Sequence, residues 1–322
     1  MRRIFFTIAL MMIILAAPAP APAETALKIG TLPIADTLLL HVAQREGYFS
    51  AAGLKVELIA FQGFVEKNAA VQAGELDGHF GEISAVIIQN AAGLNYQVVA
   101  ATSHTNPEAR MFGLVTSPKS KAEKLDDLSG AVLATSKLSI IDFLSDVFLE
   151  RAGKAGDFMA RRNIQKIPVR IQMLTSGQVD AAVLPEPLLS IAENAGGRVI
   201  MDDRDLDMPL AVVAIKKQLA TDETVAAFQS ALGRAAEAIN ARPNEYRPLL
   251  LELRLIPPQL AESFVMPPFD RSRIPAQMPS ESLYRQYVQW LTKNKILSKN
   301  GEGILPKAPA YRDVIWTGPA AE

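Results

Sequence analysis

The chain has 322 residues, 33 basic against 34 acidic side chains, a net charge near −1, 49% apolar residues and no cysteine. This balance argues against nucleic acid or an anionic membrane as a partner, since either calls for a basic excess. The missing cysteines exclude thiolate nucleophiles, thiolate zinc sites, iron–sulfur clusters and a lipid-modified cysteine anchor.

The chain opens MRRIFFTIALMMIILAAPAPAPAE. Arg2 and Arg3 form a positive leader, Ile4 to Leu15 an uncharged apolar run, and Ala21-Pro22-Ala23 a small-residue cleavage site. This is the pattern of a secretory signal peptide over residues 1–23, with an apolar run too short to span a bilayer. The mature chain is expected to be soluble and exported, retained in a periplasm without a lipid anchor.

The remainder alternates strands with helices. LKIGTLP (from Leu27) is a predicted strand, with Asp36 placed to cap the helix that follows. LKVELIAF (from Leu54) alternates like a strand, and EKNAAVQAG is a short helix closed by Gly74. LDGHFGE is a strand and its exit, SAVIIQNAAG a helix, and YQVVAATS a buried strand. MFGLVTSP is one further strand, followed by the polar run KSKAEKLDDLSG. The rhythm then restarts: the strand AVLATS, a helix to about Arg151 opened by the box Ser139–Asp142, the helix VRIQMLTSG, and the strand VDAAVLPEP. RVIMDD and LAVVAIK are strands, and from about Thr221 the chain is mostly helical, ending strongly at LYRQYVQWLTKNKI. The alternation predicts mostly parallel sheets covered by helices.

One phrase occurs twice. AGELDGHFGE (from Ala73) and SGQVDAAVLPEP (from Ser176) each hold Gly, a polar residue, an aliphatic residue and Asp, then a short run ending in Glu. The pair predicts two similar α/β units. Ligands of open α/β sheets sit beyond the carboxyl ends of the strands, so Glu82 and Glu186 are expected at a shared cleft.

ADTLLLHVAQREGYFSAAGLKVEL, AAVQAGELDGHFGE, LDDLSGAVLATS and MLTSGQVDAAVLPEP resemble the solute-binding proteins of ABC importers, in the group serving nitrate, taurine, alkanesulfonates and thiamine-pyrimidine precursors. The resemblance covers nearly the whole mature chain. It implies a type II periplasmic binding protein with two α/β lobes, a two-segment hinge and closure on the ligand. The lobes are expected at 24–113 with 210–322, and at 114–209, with the hinge carried over to Phe112–Leu114 and Leu210–Val213. The implied partners are a small-molecule solute and an inner-membrane permease with its ATPase. A monomer without cofactor or metal is expected.

The candidate ligand contacts are Asp36, Phe64, Glu82, Ser84, Ser136 and Glu186, all in loops after strands. Glu186 leads, because Pro185 and Pro187 fix its loop. Asp36, Glu82 and Glu186 are acidic, and Lys137 is the one clear base in these loops. That set favours a nitrogenous solute rich in N–H donors over a sulfonate or nitrate, which would call for Arg or for helix N-termini free of carboxylates. His41, His79 and His104 lack metal-ligand spacing, and no dinucleotide, P-loop or nucleophile-elbow motif is present. Two other roles share this fold: a ligand-sensing partner of a membrane receptor, and an enzyme resembling a thiamine-pyrimidine synthase or a chorismate-derivative dehydratase. The absent cysteines and the export signal argue against the synthase.

Overall fold

The computed structural model describes residues 25–264 and 266–318. The expected signal peptide, 1–23, lies outside the described residues. Among those residues, no helix is long and apolar enough to cross a membrane.

Ten strands follow in chain order: β1 (Thr25–Thr31), β2 (Leu54–Ala60), β3 (Gly78–Gly81), β4 (Tyr96–His104), β5 (Phe112–Thr116), β6 (Val132–Thr135), β7 (Ala160–Asn163), β8 (Ala181–Pro185), β9 (Val199–Asp202) and β10 (Pro209–Lys216). They make two five-stranded sheets, ordered β2-β1-β3-β10-β4 and β7-β6-β8-β5-β9. The two orders are the same pattern. In each sheet one strand runs antiparallel to both neighbours: β10 between β3 and β4, and β5 between β8 and β9. Both are the strands that the chain forms directly after crossing from the other sheet, which is why the sheets are mixed.

The crossings are residues 105–111 and 203–208. The strands expected to be the hinge, Phe112–Leu114 and Leu210–Val213, lie inside the sheets, where their backbone groups are already paired. The two crossings bond to each other: Thr105 N–H donates to Met208 O at 3.0 Å, Met208 N–H to Thr105 Oγ1 at 3.1 Å, and Met111 N–H to Asp203 Oδ1 at 2.8 Å.

Helices cover the sheets: α1 (Leu38–Arg45), α2 (Tyr48–Ala51), α3 (Phe64–Gln72), α4 (Ile83–Ala91), α5 (Ile140–Arg151), α6 (Ile167–Thr175), α7 (Leu188–Asn194), α8 (Asp222–Ala241), α9 (Pro243–Glu252), α10 (Glu281–Lys293) and α11 (Tyr311–Val314). Gly74 and Gly177 adopt φ of +74° and +76° just past α3 and α6, which ends both helices at equivalent places. Ser139 caps α5 by accepting Ile141 N–H, while Asp142 turns back to Leu138 N–H instead of completing the expected box. Strand β7 and helix α7 have no counterpart in the sequence reading; β7 is a polar edge strand, Ala-Arg-Arg-Asn, without apolar alternation.

One core packs α1 and α8 against the first sheet. A second core runs through both sheets' facing sides by way of α4, α5 and α10. Helix α10 was expected to belong to the first lobe. It also packs on the second: Phe143 of α5 stacks on Tyr287 at 4.0 Å between ring centroids, and Trp290 Nε1–H donates to Asp146 Oδ2 at 2.7 Å.

Candidate ligand-binding cleft

The repeated phrase has one structural job in both sheets. Asp77 Oδ2 accepts Lys28 N–H at 3.1 Å, and Asp180 Oδ2 accepts Val132 N–H at 2.7 Å. Their carbonyls then accept Lys216 N–H and Ser117 N–H from the antiparallel strands. Each Asp thus ties three strands together at the start of β3 or β8, and fixes where the following Glu emerges.

Glu82 emerges between the lobes. Its Oε2 accepts Ile140 N–H at 2.8 Å, so a carboxylate from the first lobe sits on the N-terminus of α5 in the second. Burial raises its pKa to about 7 despite that bond and the positive charges of Lys67 and Arg170. Lys67 and Arg170 are both fully buried. Lys67 Nζ donates to Phe80 O at 2.5 Å, and burial lowers its pKa to about 8. Arg170 donates Nε–H and Nη2–H to Ile164 O, leaving Nη1 without a partner. Ser84 Oγ and Tyr287 Oη are also buried without partners; burial raises the pKa of the Tyr287 phenol, and the charge of Glu82 adds to the rise.

A neighbouring pocket opens beside the crossings, lined by Asp36, Thr102–Asn106, Met111, Glu186 and the apolar run around Phe264, Met266 and Phe269. The space there, open solvent at its mouth included, is about 590 Å³. Asp36 is not the expected helix cap: it lies inside a single 3-10 turn, Ala35–Thr37, that leads into α1. Burial raises its pKa to about 6, and the charge of Asp203 adds to the rise.

Two of the six expected contacts, Asp36 and Glu186, line this pocket. Glu186, the leading candidate, is already engaged: Arg110 Nε–H donates to it at 2.8 Å and Ser190 N–H at 3.1 Å. Glu82 and Ser84 belong to the buried polar cluster just described. Phe64 is the first residue of α3 rather than a loop residue, with the Lys67 ammonium 5.4 Å from its ring centre. Ser136 is half-buried before α5, and its carbonyl accepts the hydroxyl and amide of Ser139.

The sequence reading missed every base at the cleft. Lys67 and Arg170 lie within helices, and Arg110 in a crossing. A signal existed for two of them. Lys67 shares a helical face with Ala70 and Val71, and Arg170 with Leu174, so both sit on buried stripes. His79 was read as structural and is buried, with Nε2 against Gln89 Oε1 at 2.9 Å; burial pushes its pKa down to about 3, which keeps it neutral.

Two equivalent α/β lobes joined by two crossings, with a polar cleft between strand exits, define a periplasmic-binding-protein fold. The chain belongs to the NMT1-like family, whose profile matches residues 20–252. It is 24% identical over 306 residues, 86% of this chain and 87% of the relative, to a Haemophilus influenzae protein named for thiamine biosynthesis. In structure it is similar to the periplasmic aliphatic sulphonate binding protein SsuA of Escherichia coli, with a TM-score of 0.74, 19% identity and 94% of each chain covered. It is also similar to the alkanesulfonate-binding protein SsuA of Xanthomonas axonopodis pv. citri bound to MOPS, with a TM-score of 0.69, 17% identity, and 92% and 99% of the chains covered. At these identities the two structures show the shared fold.

Proposed function

We propose that the chain is the periplasmic solute-binding component of an ABC importer. It captures a small organic solute bearing N–H donors between its lobes and delivers it, closed, to an inner-membrane permease. The observation that carries this reading is the pocket at the crossings. There Asp36 shares the pocket wall with the apolar side chains of Phe264, Met266 and Phe269, and no base is paired with it among the described residues. A solute filling that space touches both lobes and the hinge at once, so it stabilises the closed arrangement over the open one. The names of the neighbours support the transport role, and the thiamine name of the relative agrees with an aminopyrimidine-type solute.

One observation favours a second reading, an anionic solute. The buried cluster at Glu82 holds two bases, Lys67 and Arg170, against one carboxylate, with unpartnered donors at Arg170 Nη1, Ser84 and Tyr287.

A thermal-shift screen separates them. The panel sets aminopyrimidines, polyamines and amino acids beside nitrate, taurine and alkanesulfonates. A ligand at about 100 times its Kd adds about 2.7 kcal/mol of stability, a clear rise in Tm. A rise with the nitrogenous compounds supports the first reading. A rise with the anions alone transfers the site to the Glu82 cluster.

A further inference from the structure

We infer that Glu82 is a latch: reaching from the first lobe to the N-terminus of α5 in the second, its carboxylate holds the cleft closed before any solute enters. The inference goes beyond the reading of the pocket, since it does not depend on which solute is captured.

Glu82 follows β3 and stands at the N-cap position of α4, yet its side chain caps no amide of that helix. A polar side chain at an N-cap ordinarily turns to its own first turn. Here Oε2 instead accepts Ile140 N–H, the first amide of α5, at 2.8 Å. The next amides of α5 are served from within the second lobe: Ile141 N–H donates to Ser139 Oγ, and the N–H groups of Asp142 and Phe143 to Ser139 O. Ile140 N–H therefore depends on the opposite lobe. A helix leaves its first amides without internal partners, and a buried one left unbonded is costly.

The matching acid of the second lobe shows that the repeat does not force this crossing. Glu186, at the exit of β8, accepts Ser190 N–H of its own helix α7 and pairs with Arg110. Glu82 alone of the two spans the cleft. Its bond is buried, with Glu82 8% and Ile140 6% exposed, so water does not compete for it while the lobes are together. Around it the lobes meet on apolar side chains. Ile83 and Ile87 of α4 join Ile140 and Leu144 of α5 in one cluster. Helix α10, packed on α4, lays Tyr287 on Phe143 in the same first turn of α5. The chain's own side chains thus make the closing contacts. Solute enters through the fraction of molecules in which the latch is broken, which lowers its apparent affinity by that fraction.

The chain has no cysteine, so one spin label can be placed on each lobe through Val65→Cys in the first turn of α3 and Val169→Cys in the first turn of α6, both exposed. Pulsed electron paramagnetic resonance on residues 24–322, with no solute added, reads the separation of the labels. With Glu82 in place, the separation of the closed structure should dominate. Glu82→Ala should raise the open-to-closed ratio about tenfold, the scale of a hydrogen bond to a charged group. Glu82→Gln keeps an acceptor for Ile140 N–H and should stay near the parent. Far-UV circular dichroism checks that each variant is folded. Glu82→Asp, charged but one methylene short, takes the place of Glu82→Ala if that variant is not. Three results overturn the inference: a parent that is mainly open without solute, a ratio raised less than about threefold on loss of the latch, or Glu82→Gln opening as far as Glu82→Ala. No arm contains a solute, so failure here leaves the solute-binding reading standing, and a thermal-shift screen without hits leaves the latch standing.

Discussion

Glu82 shows how one side chain serves two purposes. Its carboxylate caps α5 across the cleft, and burial raises its pKa from 4.5 to about 7. The folded protein therefore holds this proton more tightly than the unfolded chain. The stability the group contributes is fully present below about pH 4.5 and is lost as pH rises through about 7. The difference is on the order of 3 kcal/mol. Glu82→Gln keeps an acceptor for Ile140 N–H and removes the titration. Denaturant unfolding between pH 5 and pH 8 should show a shallower fall in the variant than in wild type; parallel curves would place this titration elsewhere. The paired aspartates make a second prediction. Asp77→Ala and Asp180→Ala each remove a charged acceptor from a strand amide, a loss of about 1.5 to 3 kcal/mol. They lie in different sheets, so in denaturant unfolding the double variant should lose the sum within about 0.5 kcal/mol.

Helix α10 is the element that carries one core across both lobes. It packs on α4 of the first lobe and reaches α5 of the second through Tyr287 and Trp290. Asp146, which accepts from Trp290, is also paired with Arg161. Trp290→Phe keeps most of the packing and removes the indole N–H. The expected cost is about 1.5 to 3 kcal/mol, the scale of a hydrogen bond to a charged group, measured by denaturant unfolding. Loss within error would mean that Arg161 alone satisfies Asp146. The helix was legible in the sequence from its apolar spacing and Trp290, but its double allegiance was not, since amphipathic pattern says that a face is buried and not against what. Most strands were legible for the complementary reason. β4 is a continuous buried run and β2 alternates, whereas β7 carries two arginines and no pattern.

For the whole molecule, the doubled phrase was enough to reveal two equivalent units, because each copy must close an equivalent sheet. The site was harder to read. Its acids stand at strand exits, where sequence position announces them. Two of its bases, Lys67 and Arg170, come from helix interiors, and Arg110 from a crossing whose place depends on which strand joins which sheet. That dependence is a tertiary fact, which no local pattern in the sequence carries.

The strand order has a consequence for how the chain is made. Strands β5 to β9 form the second sheet from one unbroken stretch, while the first sheet has β10 lodged between β3 and β4. Emerging from its N-terminus, the polypeptide makes β1 to β4 first and still cannot finish their sheet, since β3 and β4 meet only through a strand that arrives about a hundred residues later. The second lobe has all its strands in hand well before that. The later-made half is thus free to settle first, and β4 is left waiting, a long apolar strand with both edges bare.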